Sequence, residues 1–193
     1  MNCGALILAA GASRRLGTPK QTVLIDSETL LDRAIRIAAE AGCSPIVVIL
    51  GAHEDVIRSR CNLQAAHLIS NPQWSEGIGT SLAKGASEFH DVDGIVVMTC
   101  DMPVVSADHL RELISSGVEA AASDYAGQRG PPAYFHKDLL HDLRKLRGDT
   151  GAKKLLISAR RVELLDGDLD IDTPEDLDRM QRLMMLKTKS SSS

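Results

Sequence analysis

The sequence predicts an α/β fold, a three-layer α/β/α sandwich with helices on both faces of a mainly parallel sheet. Residues 5–10 and 46–50 are apolar throughout, which is typical of strands covered on both faces, and such strands belong to parallel sheets. Between them, residues 30–41 mix apolar and charged side chains at helical spacing, as expected of a helix that packs one face on a sheet. Strands that alternate with amphipathic helices in this way build a layered α/β domain.

The same alternation continues along the chain, and local patterns mark where its elements end. Gly42 ends the first predicted helix. Pro103 interrupts regular structure after the apolar strand predicted at 94–99. Further strands are predicted at 66–70, 94–99 and 118–123, an extended segment at 161–165, and loops at 71–77 and 127–135. Further helices are predicted at 54–60, 80–88, 107–116, 139–147, 152–159 and 174–186.

Length and charge limit the possible classes of protein. At 193 residues with 44% hydrophobic content, the chain is long enough to form one sizeable core. We therefore expect a single domain over residues 1–186, followed by a polar, disordered tail at 187–193. The formal net charge of −4 gives no general surface for polyanions, so nucleic acid is not expected as a partner.

Cysteine usage and hydropathy predict a cytoplasmic protein. The four cysteines show no paired spacing, which indicates reduced thiols rather than a disulfide framework or a zinc site. The first ten residues lack the basic segment of a signal peptide, and no window reaches 18 apolar residues. We therefore expect neither secretion nor a membrane span.

A glycine-bearing, basic loop follows the first strand. Gly11 and Gly17 let the backbone approach a ligand closely, and successive amides in such a loop form an anion-binding nest. Arg15 and Lys20 add positive charge suited to phosphate oxygens. The spacing matches neither the P-loop nor the dinucleotide fingerprint. The loop predicts a phosphate site, the alternative being an ordinary turn whose arginines face water.

Three aspartates are candidates for two metal-ligand positions. Asp101 follows the strand at 94–99, and α/β folds place their ligands at the carboxyl ends of such strands. A carboxylate there suits Mg²⁺, which also binds substrate phosphates; alternatively, Asp101 only caps the following turn. Asp170 and Asp172 lie two residues apart, on the same side of an extended chain, so either could supply a second ligand. Alternatively, Asp172 only supports the helix that begins at Pro174.

These features occur in the order of a known family. Residues 8–20, with Leu-Ala-Ala-Gly at the start, Arg-Leu-Gly in the middle and Pro-Lys at the end, resemble the signature loop of the MobA-like nucleotidyltransferases. Asp-Met-Pro at 101–103 resembles the metal-binding element of that family, and residues 148–153 and 170–177 resemble its later blocks. Leu16 stands where the family usually has methionine, a mild change between apolar side chains.

The resemblance implies a Rossmann-like fold of the nucleotide-diphospho-sugar transferase type. It also implies Mg²⁺-dependent transfer of a nucleotidyl group to a phosphorylated acceptor, with release of pyrophosphate. Catalytic roles fall to Lys20, Arg15 and Asp101, metal ligation to Asp101 and Asp172, and acceptor binding to Arg129 and Gly130. The implied nucleotide-binding residues are Leu8, Ala9, Ala10, Gly11, Arg15, Lys20, Asn71, Gly77 and Ser81.

The family resemblance also indicates the substrates. Ala10 resembles the cytidylyl-transferring branch, whereas guanylyl-transferring relatives tend to have glycine there. Its methyl group narrows the room beside the base, so CTP is the favoured nucleoside triphosphate. Molybdopterin is then the expected acceptor, and a molybdoenzyme or a chaperone a possible protein partner.

Two alternatives stay open. Pro131 stands where cytidylyl-transferring relatives often have histidine or asparagine, so the acceptor is alternatively a sugar phosphate or another small phosphorylated molecule. The other alternative is a non-catalytic protein that binds a nucleotide and delivers a cofactor to a partner enzyme. Retention of both Lys20 and Asp101 argues against it, since binding alone would not need both.

Overall fold

The chain folds around a seven-stranded sheet. The computed structural model describes residues 1–190 and the side chains of residues 1–183. The strands in chain order are β1 (Cys3–Ala9), β2 (Leu24–Ile25), β3 (Glu28–Thr29), β4 (Ile46–Leu50), β5 (His67–Ser70), β6 (Gly94–Thr99), β7 (Ala120–Tyr125), β8 (Gln128–His136) and β9 (Arg160–Glu163). Strands β2 and β3 pair separately, and the others form the sheet in the order β5-β4-β1-β6-β8-β7-β9.

Strand direction confirms the predicted mainly parallel sheet, with β8 as the exception. It runs antiparallel to both β6 and β7, whereas the remaining neighbours are parallel. The predicted loop at 127–135 is therefore wrong, because these residues form most of β8. Their glycines and prolines are turn signals, but the pairing between β7 and β8 shifts register between Ala122 and Ser123. Such an irregularity accommodates prolines within a sheet.

Helices cover both faces of the sheet. They are α1 (Leu30–Glu40), α2 (Glu54–Arg60), α3 (Ile78–Ala86), α4 (Ala107–Ile114), α5 (Leu140–Arg144) and α6 (Pro174–Ser190). The predicted helix at 152–159 is wrong: only a 3-10 turn forms at 153–156, because the chain must extend again into β9. The predicted end of the last helix at residue 186 is also wrong, since no glycine or proline stops α6 before Ser190. Residues 191–193 of the predicted tail lie outside the described residues.

The central strand β1 contributes to two apolar cores. Ala5 and Ile7 belong to the core on one face, together with residues of α1 and α4. Leu6 and Leu8 belong to the core on the other face, together with residues of α3 and α5. Successive side chains of a strand point to opposite faces, which explains why residues 5–10 are apolar without interruption. No helix within residues 1–190 is long and apolar enough to cross a membrane.

The carboxyl ends of β1 and β6 lie side by side at one edge of the sheet. Leu8 of β1 pairs with Thr99 of β6, so the loops that follow the two strands begin next to each other. The backbone amide of Ile171 donates to the carbonyl of Asp101 at 2.9 Å. This hydrogen bond brings the segment before α6 to the same edge, where polar side chains from three distant parts of the sequence meet.

Candidate active site

The loop after β1 is a tight turn built around Ser13. The amides of Leu16 and Gly17 donate to the Ser13 carbonyl at 3.1 and 3.2 Å. The Ser13 hydroxyl accepts from the backbone amide of Lys20 at 3.0 Å. Both ends of the turn are therefore tied together, and the backbone of Lys20 is held at the foot of the loop.

Gln21 fixes the start of this loop from beneath. Its side chain is fully buried, and its amide nitrogen donates to the carbonyls of Ala9 at 2.7 Å and Gly11 at 3.1 Å. Both amide hydrogens are thus used on the Leu-Ala-Ala-Gly turn. Sequence reasoning missed Gln21, and its position next to Lys20 was the only available signal.

The Lys20 ammonium joins two carboxylates from distant parts of the chain. Its Nζ lies 2.5 Å from Oδ2 of Asp101 and 2.7 Å from Oδ1 of Asp172. The second oxygen of Asp172 accepts from Arg15 at 2.5 Å. Burial alone would lower the pKa of Lys20, but contact with Asp101 and Asp172 outweighs burial and raises it. The Lys20 side chain therefore stays protonated at this edge of the sheet.

Asp101 retains an unused oxygen. Only 8% of the residue is exposed, and its Oδ1 is buried without a hydrogen-bond partner. A buried carboxylate oxygen is costly to leave unpaired, so this atom is suited to a cation. Among the side chains of residues 1–183, no group of three or more His, Cys, Asp or Glu is arranged to hold a metal. Of these described side chains, Asp101 and Asp172 are the two carboxylates that pair with the Lys20 ammonium.

Asp170 does not contact Lys20. The premise that it shares a strand face with Asp172 is wrong, because β9 ends at Glu163 and strand alternation does not extend to these residues. Desolvation, followed by the like charge of Asp101, raises the pKa of Asp170 to about 6, whereas Lys20 opposes that shift. Its side chain nevertheless reaches solvent. Asp170 therefore adds negative charge near the pair rather than a third contact.

Helix α6 positions Asp172 through its first turn. One oxygen of Asp176 accepts from the backbone amide of Asp172 at 3.1 Å and from the amide and hydroxyl of Thr173, both at 2.8 Å. The Thr173 hydroxyl accepts from the amide of Asp176 at 3.3 Å. This reciprocal arrangement is a helix cap. It fixes the backbone that carries Asp172, so support of the helix and contact with Lys20 occur together.

A cavity of about 250 Å³ opens beside Lys20 and Asp101. It is lined by Leu8, Ala10, Gly11, Lys20, Trp74, Ile78, Ser81, Thr99 and Asp101. Trp74, the only tryptophan of the chain, is a lining residue that sequence reasoning did not single out. A Cβ placed on Gly51 would lie 2.7 Å from Trp74 and 2.9 Å from the Cβ of Ala10. Ala10 and Trp74 therefore meet across Gly51 in one wall of the cavity.

Four of the predicted nucleotide-binding residues do not line this cavity: Ala9, Arg15, Asn71 and Gly77. Asn71 is buried, and its side-chain amide donates to the hydroxyl of Ser81 at 3.0 Å. A Cβ on Gly77 would lie 2.4 Å from the backbone of Gly148, so Gly77 permits close packing there. Ala9 is buried and offers its carbonyl to Gln21. Of these residues, Asn71 directly supports a residue that lines the cavity, because its partner Ser81 does so.

A second, mostly apolar cleft of about 160 Å³ adjoins the first and shares Leu8, Ile78 and Thr99 with it. Arg129 and Gly130 stand on its wall, as do several residues of the 149–156 segment. The Nε of Arg129 donates to the Ala159 carbonyl at 3.0 Å, which anchors its guanidinium beside the cleft. The predicted acceptor residues thus lie in a cleft separate from Lys20 but continuous with its cavity.

Comparison with known proteins identifies the family. The model of the MobA-like NTP transferase domain matches residues 5–163. The chain belongs to this family. It is therefore a member of a nucleotidyltransferase family, with the family's Rossmann-like α/β fold. The match ends before Asp172, so the second carboxylate at Lys20 comes from beyond the matched segment.

Curated relatives of the chain carry different names. It is 31% identical to the purine catabolism protein PucB of Bacillus subtilis, with 93% of this chain and 96% of that protein covered. Identity is 29% to the nicotine blue oxidoreductase of Paenarthrobacter nicotinovorans, with 94% of both covered. It is 28% to the molybdenum cofactor cytidylyltransferase of Escherichia coli, with 89% and 91% covered.

Solved structures share the fold over nearly the whole chain. Rv0371c of Mycobacterium tuberculosis H37Rv is 29% identical, with a TM-score of 0.81 and 93% of this chain and 97% of that chain covered. A second structure of Rv0371c is described as a complex with manganese; it has a TM-score of 0.75, 27% identity and the same coverage. A divalent cation has thus been observed with a protein of this fold.

Proposed function

We propose that this protein transfers CMP from CTP to the phosphate of a molybdopterin-type acceptor and releases pyrophosphate. The observation that carries the proposal is the convergence of Lys20, Asp101 and Asp172 below a basic loop at the carboxyl edge of the sheet. This arrangement borders an open cavity, in a member of a nucleotidyltransferase family.

The residues fit a divalent cation, and we propose Mg²⁺. Asp101 and Asp172 would hold it, since they converge on one point and Oδ1 of Asp101 has no partner. Hard carboxylate oxygens are the ligands that Mg²⁺ prefers, with substrate phosphates completing its shell. When bound, the ion supplies positive charge beside the triphosphate.

The chain's own residues align the reactants. An oxygen of the acceptor phosphate attacks the α-phosphorus of CTP, and the bond from that phosphorus to the oxygen bridging to the β-phosphate breaks. The acceptor phosphate is already ionised near neutral pH, so no dedicated general base is needed. In this proposal Lys20 and Arg15 bind the departing pyrophosphate and stabilise its charge. Alignment and charge neutralisation dominate such transfers.

The lining of the cleft beside Arg129 favours an acceptor with a ring system rather than a sugar phosphate. Its walls include Leu82, Val97, Phe135 and Leu156, which offer no hydrogen-bond partners. A polyhydroxylated sugar packed against these four side chains would lose hydrogen bonds to water, which only the polar residues of the same lining, such as Asp149, Thr150 and Lys153, could replace. A flat heterocycle would bury apolar surface there, while Arg129 lies close enough for a phosphate.

The test is a pyrophosphate-release assay with each of four nucleoside triphosphates and Mg²⁺, with molybdopterin, with a hexose 1-phosphate or without acceptor. We expect release only with CTP and molybdopterin. Release with the hexose phosphate would instead identify a sugar-phosphate enzyme, and tight nucleotide binding without any release would favour a delivery protein. Asp101→Ala should reduce turnover by about 10²–10³-fold, whereas Asp108→Ala, on the exposed face of α4, should leave it unchanged.

The wall formed by Ala10 provides a separate test of the donor. Ala10→Gly removes a methyl group that lies close to Gly51 on a residue lining the cavity. We expect the ratio of kcat/KM for CTP over GTP to fall by about 10-fold, which is within the discrimination that one methyl-sized group provides. An unchanged ratio would assign the choice of base to another part of the cavity.

A further inference from the structure

The shared contacts of Lys20 have a consequence for how the site takes up its ligands. Lys20 uses two of its three donors on Asp101 and Asp172, the two carboxylates proposed to hold the cation. Arg15 takes the remaining oxygen of Asp172. The chain's own cations therefore neutralise the pair in the absence of nucleotide.

We propose that Lys20 is an internal counter-cation that keeps the carboxylate pair from binding a divalent cation until a triphosphate draws the ammonium away. The inference rests on the proposed function and specifies how the same site is regulated. A divalent cation beside the pair would lie within a few ångströms of the Lys20 ammonium, and two such charges repel each other strongly in a partly buried site. Only 16% of the Lys20 side chain is exposed, so solvent does little to screen that repulsion.

The contacts of the loop allow this exchange without unfolding. Ser13 holds the backbone of Lys20, so the long side chain alone needs to turn towards the cavity. Arg15 is free to follow, since 71% of its side chain is exposed. A triphosphate in the cavity offers both cations oxygens of greater total charge than the two aspartates. The freed carboxylates then accept the divalent cation. Bound nucleotide therefore increases the affinity for the cation, and bound cation increases the affinity for the nucleotide.

One unpaired atom provides an independent argument that the pair is built for a further cation. Asp101 is more than nine-tenths buried, and its Oδ1 remains without a partner even while Oδ2 contacts Lys20. A purely structural ion pair would be expected to satisfy both oxygens. The second oxygen is thus kept available for a ligand that arrives later.

The experiment measures Mn²⁺ affinity of the nucleotide-free protein by the electron paramagnetic resonance signal of free Mn²⁺. Lys20→Met should bind Mn²⁺ at least about 10-fold more tightly than the wild type, because the competing charge is gone. Arg15→Met should show a smaller gain. Arg14→Met removes the same charge from the same loop and should change the Mn²⁺ affinity little. The ion pair with Asp172 is made by Arg15, and no ion pair of Arg14 is found among the described side chains.

Two further outcomes decide the proposal. The double variant Lys20→Met with Asp101→Asn should lose the increase in Mn²⁺ affinity, which would locate the additional metal at the carboxylate pair. Equal or weaker Mn²⁺ binding by Lys20→Met, or by Lys20→Gln if the first variant does not fold, would overturn the counter-cation role. Retention of the gain in the double variant would do the same. Neither result depends on pyrophosphate release, so failure of this inference is distinguishable from failure of the proposed function.

Discussion

Gln21 has a role that no sequence motif marked. It is buried, and it uses both amide hydrogens on the backbone of the turn that carries Ala10 and Gly11. The adjacent residue Lys20 holds the two carboxylates. The loop and the ammonium are therefore positioned by one short segment, because neighbouring residues in a 3-10 turn point in different directions.

Replacing Gln21 by methionine tests this positioning role. Gln21→Met keeps the length of the side chain but leaves two carbonyls unpaired, so we expect a loss of about 2 kcal/mol in the free energy of unfolding. We also expect CTP to bind more weakly while cytidine binding changes little, because the triphosphate contacts the loop. Urea denaturation and calorimetric titration measure the two effects. Gln128→Met, an exposed change at the start of β8, serves as the control; equal losses for CTP and cytidine would contradict the role.

At the scale of elements, α4 is joined to the irregular part of the sheet by a buried polar contact. The Ser123 hydroxyl donates to the Pro132 carbonyl at 2.7 Å and lies 2.8 Å from Nε2 of His109. Since the hydroxyl proton is used on the carbonyl, Nε2 carries the donor hydrogen. This contact links α4, β7 and β8 at the register shift that the sequence did not predict.

The same contact predicts a pH dependence of stability. Desolvation lowers the pKa of His109, against a smaller opposing effect of Glu112. The folded state thus favours neutral His109, and its contribution is complete above the unfolded pKa of about 6.5 and is lost as pH falls below that value. His109→Gln should therefore lose less unfolding free energy than the wild type between about pH 8 and pH 5. Urea denaturation at both pH values measures this, and identical losses would exclude His109 as the titrating group.

At the scale of the whole molecule, the site depends on a segment far along the chain. Asp172 lies 152 residues beyond Lys20 and outside the segment matched by the family model. The bond from Ile171 to Asp101 and the cap at the start of α6 hold it in place. The carboxyl-terminal helix thus completes the site rather than only covering the core.

Loosening that cap should weaken the site without touching it directly. Asp176→Ala removes the acceptor for the amides of Asp172 and Thr173, at a cost of about 1 kcal/mol in the free energy of unfolding. We expect Mn²⁺ affinity in the presence of CTP to fall by about 10-fold, the lower end of the effect of removing support behind a metal ligand. Glu175→Ala makes a matched change in the same turn, where no contact to Asp172 is seen, and should keep the wild-type affinity. Unchanged affinity in Asp176→Ala would show that Asp172 needs no support from α6.

Local sequence patterns were sufficient to predict the fold class and the loop with its basic residues. Continuous apolar strands and amphipathic helices follow from local periodicity, and Asp101 follows from its place after a buried strand. The sequence also indicated the family, through motifs that are each contiguous in the chain. The structure corrected elements in which strand pairing overrides the local sequence signal. In β8, residues predicted as a loop from their glycines and prolines form a strand, and the irregular register accommodates the prolines.

Which side chains meet at the site could not be predicted without the folded structure. Residue spacing made Asp170 and Asp172 equivalent, but the cap at Thr173 and Asp176 turns Asp172 towards Lys20 and leaves Asp170 apart. The same holds for Gln21, whose partners lie on another segment, and for the wall of Ala10, Gly51 and Trp74. Local patterns reflect short-range backbone preferences, whereas charge pairing across 152 residues arises only once the sheet edge has brought the three segments together.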